Sequence, residues 1–162
     1  MFTTSLSKEI REKIADHLNE LVAICKDGEA GYRDAAEETK SPELQTLFSR
    51  LARQRADFVI ELQRAVTALD CEPRDSSHLA GKLHRGWINL KAAIVSNDAH
   101  AVLAECERGE DAAVAAYAKA LKEAPLDTHQ RALVDAQSQA VKAAHDQIRD
   151  LRDHPAYAGE KS

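Results

Sequence analysis

Apolar residues recur at alternating spacings of four and three along most of this chain. After Ser7 they fall at Ile14, Leu18, Leu21, Cys25, Gly28, Tyr32 and Ala35. A seam that returns every seven residues marks a helix packed at a shallow angle in a bundle. The pattern predicts a first long helix over about 8–38. It ends at Lys40-Ser41-Pro42, where Ser41 suits an N-cap and Pro42 the first position of the next helix. The second helix, about 42–70, continues the seam with Leu44, Phe48, Leu51, Arg55, Phe58, Leu62, Ala65 and Leu69. So short a turn makes the two helices antiparallel neighbours.

The polar stretch Cys71-Glu72-Pro73-Arg74-Asp75-Ser76-Ser77 interrupts the periodicity. Leu79, Leu83, Trp87, Leu90 and Ile94 then predict a shorter helix over about 78–95. After Ser96-Asn97-Asp98 come two further long helices, about 98–123 and 128–152. Asp127 and Gln130 have the spacing of a capping box for the last. The connection over 72–97 is long enough to run the length of a roughly 40 Å bundle, at about 1.5 Å per helical residue and 3.3 Å per extended one. Two helical hairpins joined by such a crossover make a ferritin-like four-helix bundle. The expectation is therefore one all-α domain over 1–162, with the third main helix parallel to the second. A plain five-helix up-and-down bundle is the rival topology. A weak repeat favours the first: Ala30-Gly31-Tyr32-Arg33-Asp34-Ala35 resembles Ala115-Ala116-Tyr117-Ala118-Lys119-Ala120, with Cys25 then matching Glu110.

Composition agrees with a helical reading and narrows the function. Charged residues make up 30% and aromatics only 4%, with a net charge of -5. That balance lacks the basic footprint of a nucleic-acid binder. No apolar run reaches the roughly 18 residues of a membrane span, and the first residues do not read as a secretory signal. A cytoplasmic protein is expected. Three scattered cysteines without a C-x-x-C suggest neither a disulfide framework nor a zinc knuckle. Val22 and Ile24 lie beside the first seam, and a homodimer using this apolar flank is the expected assembly. No protein partner can be named from the residues.

A di-iron carboxylate site would place a Glu on each of two helices and Glu-x-x-His on the other two. None of the seven histidines has a Glu three residues before it. The seams instead carry Arg55, Glu110 and Gln137. Folding each hairpin about its turn puts these three in one layer of the core, where ferritin-like proteins keep their metals. The Arg55 guanidinium is expected to take the place of the cation and pair with Glu110. No cofactor is expected on this reading. The alternative is an unorthodox metal site drawn from Glu29, Glu107, Glu110 and His145, with iron or manganese as the ion. Tyr32 and Tyr117 read as packing residues, and Trp87 as the anchor that docks the crossover.

Four motifs occur in order: Gly31-Tyr32-Arg33-Asp34-Ala35-Ala36-Glu37, Leu83-His84-Arg85-Gly86-Trp87, Glu105-Cys106-Glu107-Arg108-Gly109-Glu110-Asp111 and Ala144-His145-Asp146. Together, over residues 14–153, they resemble the bacterial family called domain of unknown function 2383, of the ferritin-like superfamily. The resemblance implies a ferritin-like bundle in a bacterial cytoplasm, loosely associated with stress responses, and brings no catalytic residues. The function expected is thus a non-enzymatic, stress-associated bundle with a buried polar layer. The alternative is a metal-binding ferritin-like oxidase or storage protein.

Overall fold

The computed structural model describes residues 6–74 and 86–157. They form α1 (Lys8–Glu38), α2 (Pro42–Ala68), α3 (Leu90–Val95), α4 (Ala99–Glu123) and α5 (Thr128–Asp153), with no strand among the described residues. Side-chain oxygens cap four of the five helices. Ser7 accepts from the Ile10 amide at 3.1 Å, and Ser41 from the Leu44 amide at 3.2 Å, ahead of Pro42. Asp98 caps α4. Asp127 and Gln130 close a reciprocal capping box at 2.7 and 2.9 Å. Each satisfies amides that the first turn of a helix leaves without intrahelical partners.

Contacts between helices give the chain direction of each. Cys25 meets Tyr117 and Tyr32 meets Glu110, so α4 runs antiparallel to α1. Tyr32 stacks near Phe48, and Arg11 donates to the Leu69 carbonyl, so α2 is also antiparallel to α1. The third main helix is therefore parallel to the second, as two hairpins joined by a lengthwise crossover require. On α5, Gln137 lies by Tyr117 and His145 by Asp111, antiparallel to α4. The five-helix up-and-down alternative is excluded, and the architecture is a ferritin-like four-helix bundle.

The crossover differs in detail from its expected form. Among its described residues helix begins at Leu90, and residues 86–89 form a turn. Leu79, Leu83 and the rest of 75–85 lie outside the described residues. The turn has a steric cause. Gly86 has φ +103, and a Cβ there would sit 2.4 Å from the Arg108 carbonyl oxygen. Helix cannot pass through that conformation. Similarly α2 stops at Ala68 rather than 70, because Asp70 adopts φ 60. The turn delivers Trp87 into a slot between α1 and α4, against Gly31 and Gly109. Its ring meets the Tyr32 ring edge-on at 5.0 Å.

Buried residues fall into two clusters. One centres on Ile14, Leu18, Leu62, Val66, Tyr117 and Val134. The other centres on Tyr32, Phe48, Leu51, Trp87, Leu103 and Ile148. Val22 and Ile24, expected on an open flank, are buried in the first, so they do not form the dimer face expected of them. α1 is enclosed by α2, α4 and the crossover, so its apolar arc is wider than one seam.

Candidate functional site

Between the two clusters lies a polar layer. Arg55 of α2 is 1% exposed and Glu110 of α4 is 0% exposed. One guanidinium nitrogen, Nη2, donates to both Glu110 oxygens, at 2.8 and 3.0 Å. Nε donates to Gln54 Oε1 at 3.1 Å, and the Tyr32 hydroxyl donates to Glu110 Oε2. The guanidinium carbon stands 5.7 Å from the Tyr32 ring centre, within the range of a cation–π contact. Gly28 makes the space: a Cβ there would meet Arg55 Nη1 at 3.3 Å.

A second chain of hydrogen bonds lies beside the first. The Tyr117 hydroxyl donates to Gln137 Oε1 at 2.7 Å, and Gln137 Nε2 donates to Glu61 at 2.8 Å. The single hydroxyl proton being used, Cys25 supplies the donor in its 3.1 Å contact with the Tyr117 oxygen. Gln137 thus belongs to a different tier from Glu110. Because α4 is antiparallel to α1, a residue and its repeat mate share a level only near Gly28 and Ala113. Cys25 and Glu110, which match in the repeat, lie on opposite sides of that level.

Electrostatics hold the layer in one ionic state. Burial opposes the Arg55 charge, but Glu110, joined by Tyr32 and Cys25, lifts the guanidinium above its already high value. Burial, reinforced by the Glu110 charge, pushes the Tyr32 phenol well up. Burial also pushes the Cys25 thiol up to about 11 and Cys106 well above its ordinary value. These thiols and phenols stay protonated near neutrality.

The candidate metal residues divide. Glu29 bonds Arg33 at 2.7 Å on its own helix. Glu110 is taken by Arg55 and Tyr32. Glu107 and His145 do come together, 3.7 Å apart, on the flank between α4 and α5, joined there by Asp111. Asp111 was not among the sequence candidates. The available signal was its position one turn from Glu107 on α4, facing an antiparallel helix that carries His145.

A model of the domain of unknown function (DUF2383) family matches residues 13–123. The chain belongs to this family. No curated protein matches this DUF2383 chain. Among solved structures it is similar to a mutant of Dps1 from Mycobacterium smegmatis, at 13% identity and a TM-score of 0.70. The match covers 91% of the DUF2383 chain and 100% of the other. That likeness establishes the fold alone. A ferritin-like fold raises the question of iron in the bundle centre, and the residues there do not fit it. A di-iron centre draws on four carboxylates and two imidazoles. This layer offers Glu110, already neutralised by a fixed guanidinium, with Tyr32 and Gln54 beside it, and the neighbouring tier adds Glu61 with Tyr117, Gln137 and Cys25 but no imidazole. No described helix of the DUF2383 chain is long and apolar enough to cross a membrane.

Proposed function

We propose that this DUF2383 protein is a non-enzymatic, stress-associated bundle of the bacterial cytoplasm. It acts through its surface or its assembly as a homodimer, and an internal Arg–Glu pair takes the place of a central metal. The observation that carries this reading is the buried Arg55–Glu110 pair. A ferritin-like oxidase or store would need that layer to accept and release cations. A permanent guanidinium at its middle repels a second cation, and in a dry interior the repulsion is strong.

A double-mutant cycle with metal content measured on every variant tests it. Arg55→Met and Glu110→Gln should each cost about 3–5 kcal/mol, because each strands a buried partner. The double variant should regain much of the loss, with coupling of at least about 1.5 kcal/mol. Additive effects, or iron or manganese retained by the native chain and lost with Glu110→Gln, would overturn the reading.

A further inference from the structure

We propose that Glu107, Asp111 and His145 form a binding site for one divalent first-row transition ion on the flank between α4 and α5. This site is separate from the central layer and does not depend on how that layer is read. Its donors are mixed, and they come from two helices. Glu107 and Asp111 stand one turn apart on α4, and His145 faces them from α5. One ligand atom from each lies within 4.8 Å of the others. His145 Nε2 is 2.8 Å from Asp111 Oδ1 and 3.7 Å from Glu107 Oε2. Donors held at about 2.0–2.2 Å from a tetrahedral ion are roughly 3.4 Å apart, so modest side-chain adjustment accommodates one.

The surroundings suit an ion. His145 Nδ1 contacts Asp146 Oδ1 at 3.0 Å, so a carboxylate backs the ring as it does behind ligating imidazoles. With Nδ1–H donating to Asp146, the Nε2 lone pair points at two anionic oxygens. That arrangement requires a positive species at Nε2, either a proton or a metal. Arg149 lies 3.3 Å from Asp146. Arg152 bonds Glu107 Oε1 while its other nitrogens reach Asp153 at 2.9 and 3.1 Å. It orients the Glu107 carboxylate and leaves Oε2 for the ion; on this partly exposed flank water screens its charge, as it cannot for Arg55 in the dry centre. Asp111 is 62% exposed, which opens the remaining coordination positions to water. An imidazole with two carboxylates selects zinc, manganese or iron(II) over magnesium and calcium, which prefer oxygen alone.

Equilibrium dialysis of the full chain against Zn²⁺, with excess Mg²⁺ as competitor, tests the site. One Zn²⁺ per chain is expected. His145→Gln and Asp111→Asn should each weaken binding by more than about a hundredfold, and Asp146→Asn by about 10–100-fold, the usual effect of an outer-shell partner. These flank positions are partly exposed, and far-UV circular dichroism checks that each variant folds. No Zn²⁺ retained against Mg²⁺ would overturn the proposal. So would binding that survives His145→Gln, because another of the seven histidines would then hold the ion.

Discussion

Alanine is normally the better helix residue, yet at Gly109 it should destabilise this protein. In mid-helix, Gly→Ala gains about 1 kcal/mol. A Cβ on Gly109 would lie 2.1 Å from Trp87 Cε2 and 2.4 Å from Nε1, far inside contact distance. The indole cannot retreat, because on its other side a Cβ at Gly31 would be only 2.3 Å from its Cε3. Tyr32 closes the edge. Overpacking of this kind costs about 1–3 kcal/mol, sometimes more. Two opposed walls place the site at the upper end, so Gly109→Ala should lose about 2 kcal/mol net. Trp87→Ala should lose about 3–5 kcal/mol by itself. In that background Gly109→Ala meets no ring and should recover about 0.5–1 kcal/mol of helix propensity. The sign of one substitution thus reverses with the state of its neighbour. Urea unfolding followed by far-UV circular dichroism reads all four proteins, including those without the tryptophan. Equal effects of Gly109→Ala in both backgrounds would refute the wedge.

Three further outcomes are expected. In the native state a thiol reagent should label Cys71 alone, because Cys25 and Cys106 are buried with raised pKa values, and urea should expose all three; rapid native labelling of two or more would contradict the packing. His145 should stabilise the metal-free protein more at acid than at alkaline pH. Burial of its ring opposes the charge, but hydrogen bonds to Asp146 and Asp111 prevail and raise its pKa above the ordinary 6.5. The contribution is full below about 6.5 and is lost as pH rises through the folded value. The stability gap between native and His145→Ala chains should therefore narrow between pH 5.5 and 8.5, and a widening gap would reverse the sign. Sedimentation should show a species of twice the 17.8 kDa chain mass at raised concentration; a constant single-chain mass would exclude the dimer.

What could be read from the residues was what is local or periodic. Ser7, Ser41, Asp98 and Asp127 act through their own next turn, so their capping needs no knowledge of the fold. The meeting of Arg55 with Glu110 follows from counting along two hairpins. The same counting folded the second hairpin about a midpoint too early in the chain and so set Gln137 level with Glu110, whereas the pairs Tyr117–Gln137 and Asp111–His145 move it to the Tyr117 tier. Trp87, Leu90 and Ile94 read as continuous helix because periodicity is blind to the positive φ of Gly86. Val22 and Ile24 looked free because a seam says nothing about how many neighbours surround a helix. Asp111 escaped notice because an exposed acid off the seam looks like ordinary surface until α5 lies opposite.

The polar layer also bears on how the helices find their alignment. A seam rich in Ala and Leu that repeats every seven residues is nearly self-similar. Sliding one hairpin past the other by a heptad would return most apolar side chains to apolar surroundings. It would also carry Arg55 about 10.5 Å from Glu110 and drive its guanidinium against hydrocarbon. Two stranded charges at about 3–5 kcal/mol each make that slipped arrangement inaccessible. The pair adds little to the depth of the native minimum and instead removes its closest competitor, much as a single buried polar residue sets register in a coiled coil. In this bundle the ion pair serves as an index mark between two otherwise interchangeable scales.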